Sequence, residues 1–166
     1  MAKTYEPIAT TTLGSASNSV TFSSISGSYT DIIAIVAMPA SGANTTAIRF
    51  NGDTGTNYST TLLVGSSGGA ASYRESNKSY GVTGGLVSGM GANSNLIIQI
   101  QNYSNSTTNK TSLSRSNTAP NNEVGLNAIL WRSTSAINSI SFIDYAGGAN
   151  TYPTGTTFTL YGIKAA

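Results

Sequence analysis

Six carboxylates are the only acid–base side chains that could titrate near neutral pH, because the 166-residue chain contains no histidine and no cysteine. They are Glu6, Asp31, Asp53, Glu75, Glu123 and Asp144, scattered singly along the chain. Ser-His-Asp and Cys-His chemistry is thereby excluded by residue type, and zinc loses its two favoured ligand types. A carboxylate-pair hydrolase would need two of the six acids to face each other across a cleft, and no dense acidic motif points to such a pair. The expectation is a chain that is not an enzyme and carries no cofactor or metal.

One segment concentrates oxygen ligands: Arg49-Phe50-Asn51-Gly52-Asp53-Thr54-Gly55-Thr56-Asn57-Tyr58. Asp53 with the neighbouring Asn and Thr oxygens could contribute to a Ca²⁺ shell, which takes six to eight oxygens and usually several carboxylates. With one carboxylate present, the segment fits a turn better, since Asn51-Gly52 and Asp53 to Gly55 tolerate the backbone angles of a reversal. The tyrosines form a second group. Tyr58, Tyr73, Tyr80 and Tyr103 lie next to or near Ser, Asn or Gly, a composition suited to contact surfaces and to stacking on sugars. Together with Asp53 they are the expected surface-contact residues. For each tyrosine taken singly, a strand residue with a buried ring and a hydrated hydroxyl is the favoured reading. Trp131 ends an apolar run and is expected to anchor the core. Arg115 and Arg132 are expected to pair with Glu123 or Asp144.

The elements that position these groups must be strands. Charged residues make up 8% of the chain, and polarity is carried by Ser, Thr and Asn, with 18 Gly and nine Tyr. These residues favour strands and turns and weaken helices. Apolar alternation between turn residues predicts strands near 8–13, 18–25, 30–38, 46–51, 58–64, 94–102, 109–116, 123–132, 137–144 and 156–163. Segment 30–38 is almost continuously apolar and is expected to be buried on both faces. Pro39 should end it. The glycine-rich stretch 65–91 is expected to form loops, with a short hairpin near Tyr80. About ten strands with turns every 8–12 residues imply an all-β chain: a single antiparallel β-sandwich domain spanning 1–166, jelly-roll-like, with an eight-stranded barrel as the alternative.

Net charge is +2, from eight basic and six acidic residues, with no basic run that could follow a phosphate backbone, so nucleic acid is not an expected partner. No apolar run reaches the roughly 20 residues of a membrane span, and the first residues lack a secretory signal, so synthesis in the cytoplasm is expected.

Several short blocks carry a family resemblance: the opening Met1-Ala2-Lys3-Thr4-Tyr5-Glu6-Pro7-Ile8-Ala9-Thr10, Phe22-Ser23-Ser24-Ile25, Arg49-Phe50-Asn51-Gly52-Asp53, Leu113-Ser114-Arg115-Ser116, Leu130-Trp131-Arg132-Ser133 and Phe158-Thr159-Leu160-Tyr161-Gly162-Ile163. In these the chain resembles small virion structural proteins of tailed phages, particularly phages of marine cyanobacteria. Segment 65–91 matches nothing in that family. The resemblance implies location in a virion, partners among other capsid or tail proteins, and a homo-oligomer. A capsid-surface decoration or cement protein is the leading expectation. The alternative is a tail-fibre or receptor-binding module holding a host glycan in a lectin-like way.

Overall fold

The computed structural model describes residues 4–39, 46–84, 94–119, 122–145 and 150–164. Among them run twelve strands: β1 Tyr5–Thr12, β2 Ser19–Phe22, β3 Asp31–Met38, β4 Thr46–Phe50, β5 Tyr58–Ser66, β6 Gly69–Lys78, β7 Gly81–Val82, β8 Ser94–Ile100, β9 Lys110–Thr118, β10 Glu123–Trp131, β11 Ile140–Asp144 and β12 Thr157–Ile163. They form an eight-stranded sheet, ordered β1-β12-β3-β8-β9-β10-β5-β6, and a four-stranded sheet, ordered β2-β11-β4-β7. Every strand pair is antiparallel. The pairs β5·β6, β4·β7 and β3·β8 are nested, and they alternate between the sheets. A long hairpin rolled back on itself gives this arrangement, so the sandwich is jelly-roll-like.

Both sheets turn apolar residues toward one core. The larger sheet supplies Ile32, Ala34 and Val36 from β3, Leu96, Ile98 and Ile100 from β8, and Phe158 and Leu160 from β12. The smaller sheet answers with Val20, Phe22, Ile48, Phe50, Ile140 and Phe142. Each such side chain contributes roughly 1.5–3 kcal/mol when removed from water. Aromatic rings knit the layers together: Phe142 lies 5.2 Å from Phe158, and Tyr152 meets Phe158 edge-on at 4.9 Å.

All ten expected strands are present, and two features differ from expectation. Strand β3 does end at Met38, before Pro39, but it is buried on one face only. Ile33 and Ile35 are half-buried and Ala37 is exposed, because among the described residues no layer covers the far side of the eight-stranded sheet. The second difference is the stretch 65–91. Its described part, up to Gly84, carries β6 and β7 where loops were expected, and the two flank Tyr80 without forming the expected hairpin, since β6 pairs with β5 and β7 with β4. The apolar pattern gave no sign of β6, because an edge strand beyond the sandwich has no face to bury and every one of its positions is exposed or half-buried. Residues 85–91 lie outside the described residues.

Candidate functional site

Alternation along each strand sends half its side chains away from the core, and on the eight-stranded sheet they form an uncovered outer face. Pairing register aligns them into a row crossing the sheet: Ser72 opposite Leu63, Leu63 opposite Leu126, Leu126 opposite Arg115, Arg115 opposite Ile97 and Ile97 opposite Ile35. A second row beside it holds Thr61, Ala128, Leu113, Gln99, Ile33 and Tyr161. Leu63, Leu113, Val124 and Leu126 keep 51%, 44%, 62% and 40% of their surface exposed. Exposed leucines scattered singly are unremarkable, but adjacent ones on neighbouring strands make a patch of the kind that marks an interaction surface. At the β6 end of the face, Leu63, Gly65, Ala70, Ser72, Val124 and Leu126 line an open groove of about 670 Å³.

Arg115 stands in the middle of this face. Three smaller depressions share it, one beside Asn95 and Val124, one beside Leu113 and Leu126, and one beside Tyr5 and Tyr161. The expected pairing of Arg115 with Glu123 or Asp144 is not what the structure shows. Glu123 points to the opposite face of the sheet, buried, and Arg115 projects outward. Arg132 likewise takes other partners: it donates to Ser59 Oγ at 2.7 Å, Thr56 O at 2.6 Å and Asn77 Oδ1 at 2.9 Å, tying β6 to the end of β10.

The reason the outer face is apolar here lies on the inner face. Strands β9 and β10 place Ser112, Ser114, Ser116, Thr118, Glu123 and Asn127 inward, all of them buried. The residues after β7 cross this region, and their carbonyls need donors. Ser114 Oγ donates to Thr83 O at 3.0 Å, and Asn127 Nδ2 donates to Val82 O at 3.2 Å and Gly84 O at 3.1 Å. Polar residues therefore occupy the inward phase, which leaves Leu113, Val124 and Leu126 in the outward one. Burial pushes the Glu123 carboxyl above its ordinary value, and burial lowers the Lys110 ammonium. Lys110 Nζ donates to Thr108 O and Thr134 O at 2.7 and 3.1 Å, a carbonyl nest at the end of β9.

The five expected contact residues do not come together. Asp53 serves the turn: its Oδ2 accepts from Trp131 Nε1 at 2.6 Å and from Asn57 Nδ2 at 2.9 Å, and its Oδ1 accepts from Gly55 N at 2.8 Å. Burial alone would raise this carboxyl, but the bonds from Trp131, Asn57 and Gly55 outweigh it and hold Asp53 below the ordinary carboxylate value. The expected turn is present, with Asn51 and Gly52 at φ of 53° and 65°. It carries the chain from the smaller sheet to the larger one. Tyr58 and Tyr103 are fully buried, which rules out a surface role for both. Tyr58 stacks on Trp131 at 6.2 Å and its hydroxyl accepts from Phe50 N, while the Tyr103 hydroxyl donates to Ser26 O. Tyr80 is half-buried and stacks on Tyr145 at 5.1 Å. Burial beside Glu75 and Asp144 pushes the Tyr145 hydroxyl up to about 12. Tyr73 is exposed on β6, opposite Leu62 and so on the reverse side from the apolar row. Among the described residues no group of three or more His, Cys, Asp or Glu could hold a metal ion, and no helix is long and apolar enough to cross a membrane.

No family model and no curated protein matches the chain. Among solved structures it is similar to galectin LEC-6 of Caenorhabditis elegans, at 10% identity and a TM-score of 0.40, over 94% of this chain and 96% of that one. It is more distantly similar to the PL-14 alginate lyase of the marine Aplysia kurodai, at 8% identity and a TM-score of 0.28, over 86% of this chain and 72% of the lyase. Likenesses of this depth leave the fold to rest on the strand pairing described above and say nothing of what this chain binds.

Proposed function

We propose that the chain is a non-enzymatic structural building block of a phage particle, seated on the capsid surface and acting through protein–protein contacts made by the outer face of its eight-stranded sheet. The observation that carries the contact surface is the cluster Leu63, Leu113, Val124 and Leu126, exposed side by side on a sheet whose other face already fills the core. Water contact at such a patch is unfavourable by roughly 25 cal/mol for each Å² of apolar area, so covering it with a partner supplies affinity. The virion setting rests on the resemblance in the sequence blocks quoted above, and the capsid is preferred because a broad apolar sheet face suits seating against another protein surface.

A protein partner suits this face better than a sugar does. Glycan sites need convergent hydrogen-bonding groups beside a flat aromatic ring. Around the Leu63 and Leu126 groove aliphatic side chains dominate, and the aromatic rings of the face, Tyr5 and Tyr161, lie toward the opposite edge of the sheet beside Gln99 and Arg115.

Binding to particles that lack the protein tests the proposal. The wild-type chain should bind such particles, with density distributed over the capsid. Leu126→Asp should weaken that binding at least tenfold while leaving the fold intact. Density confined to the tail tip would reject the capsid assignment, and undiminished binding by Leu126→Asp would reject the face. Glycan-array retention abolished by the same substitution would replace the protein partner with a sugar.

A further inference from the structure

A sheet edge exposes a row of unpaired backbone donors and acceptors, and proteins usually blunt such edges with charges, proline, bulges or brevity. Three of the four edges here are blunted in that way. β1 carries Pro7, a register shift between Pro7 and Ala9, and the Glu6–Lys164 ion pair at 3.0 Å. β2 has four residues and β7 has two. β6 differs: it runs ten residues, and its first half, Gly69-Ala70-Ala71-Ser72-Tyr73, has no charge and no proline and is exposed throughout. The irregularity in its pairing with β5 falls further along, beyond Glu75.

The phase of the ladder identifies the free groups. Arg132 N donates to Asn57 O at 2.9 Å, which makes Asn57 and Arg132 a hydrogen-bonded pair one step beyond Tyr58 and Trp131. Since such pairs alternate along an antiparallel ladder, the odd-numbered residues of β5 bond to β10 and the even-numbered ones bond to β6. Their partners on β6 are Gly69, Ala71, Tyr73 and Glu75. The backbone N–H and C=O of Ala70, Ser72 and Arg74 therefore point to the open edge.

We propose that β6 pairs with β6 of a second copy of this chain, antiparallel about a twofold axis through Ser72, joining two eight-stranded sheets edge to edge. Ser72 then lies opposite Ser72 of the second copy, and Ala70 lies opposite its Arg74, so about six main-chain hydrogen bonds satisfy every free group on both edges. This register also suits the charges. Arg74 and Glu75 sit at one end of the edge only, so an antiparallel mate sets them against the uncharged Ala70 and Gly69. Moving the twofold from Ser72 to Arg74, a register shift of four residues, would oppose Arg74 to Arg74, a destabilising like-charge pair. A second copy is preferred to a foreign strand because the edge complements itself under this twofold. The groove lined by Leu63, Ala70 and Val124 adjoins the same edge, so pairing brings two contact faces side by side. The inference extends the building-block reading, but it is tested separately from it.

Light scattering coupled to gel filtration decides the matter. The wild-type chain should run as a dimer at about 100 µM and Ser72→Pro as a monomer. Proline at an edge position whose N–H faces solvent removes only the outward donor, so the far-UV spectrum should stay that of the wild type. Ser72→Cys supplies a second readout in a chain without other thiols. Cα atoms in a hydrogen-bonded antiparallel pair lie about 5.5 Å apart, within disulfide reach. Mild oxidation should link Ser72→Cys into a covalent dimer and leave Thr10→Cys, on the blunted β1 edge, unlinked. A wild-type chain that stays monomeric, or a dimer that survives Ser72→Pro while Ser72→Cys fails to cross-link, would overturn the proposal. A wild-type chain that is monomeric yet binds particles would sink the edge pairing and leave the contact face standing; loss of binding in Leu126→Asp with the dimer intact would support the two as separate surfaces.

Discussion

Asp53 shows how a side chain with the right chemistry for a site is used up by structure. Its two oxygens already accept from an indole, an amide and a backbone N–H, leaving little for a cation. Hydrogen bonds to a charged group contribute about 1.5–3 kcal/mol each, and for a chain of this size 1 kcal/mol shifts the melting temperature by roughly 2–4 °C. Asp53→Asn, which keeps the shape and loses the charge, should therefore melt about 4–8 °C below the wild type at pH 7. The sign with pH follows from the lowered carboxyl. Stability from Asp53 is fully present above the unfolded-state value near 3.9 and is lost as pH falls through the folded-state value. Thermal melts at pH 7 and pH 3 should accordingly show the gap between wild type and Asp53→Asn narrowing in acid. A gap that stays constant would mean the charge is not what the turn uses. The turn itself was legible from Asn51-Gly52, and burial was the favoured reading of Tyr58 and Tyr103 taken singly. Their choice as surface contacts was the part that failed, because the packing of Phe50 and Trp131 takes up the Tyr58 ring.

Among the elements, ten strands were legible from their apolar patterning, whereas β6 and β7 were not. β8 and β12 turn apolar residues inward as that patterning implies, while β3, expected to be buried on both faces, is buried on one. In β9 and the first half of β10 the phase is inverted: Ser114 and Asn127 face inward to hold the carbonyls of residues 82–84, and Leu113 and Leu126 face out, while Ile129 and Trp131 farther along β10 join the core. Alternation identifies such a strand but assigns its faces backwards, so the contact surface was hidden in a pattern that reads as core. The short strand β7 is fixed from the other side by a close approach. A Cβ added to Gly81 would lie 2.4 Å from Ile129 Cγ2 and 3.4 Å from Ile48 Cγ2, so nothing larger than hydrogen fits between the two sheets there. Overpacking of this kind costs about 1–3 kcal/mol. Gly81→Ala should lower the melting temperature by about 3–10 °C, whereas Gly14→Ala, with open space around it, should change it by no more than about 2 °C. Equal melting of the two variants would show that β7 shifts freely and does not fix the spacing of the sheets.

At the scale of the molecule, one sheet does two jobs: its inner face completes the core, and its outer face contributes little to folding because no layer among the described residues covers it. That division makes the stability effects of two similar apolar side chains diverge according to the face they occupy. Ile98 is fully buried between the sheets, and truncating such a residue costs about 2–5 kcal/mol, or roughly 4–20 °C of melting temperature. Leu63 and Leu126 face outward with half or nearly half of their surface in water. Surface substitutions of that kind usually stay within about 0.5 kcal/mol apiece. The double variant Leu63→Ser/Leu126→Ser should therefore melt within about 4 °C of the wild type, while Ile98→Ala falls well below it. The double variant should also need more ammonium sulfate to precipitate, because the salt drives apolar patches together and this variant has lost half of the patch. Should it melt as low as Ile98→Ala, the outer face would be part of the folding core and its leucines would need no partner to explain them. Near wild-type stability with raised solubility would leave association as the remaining physical reason for apolar residues at Leu63 and Leu126.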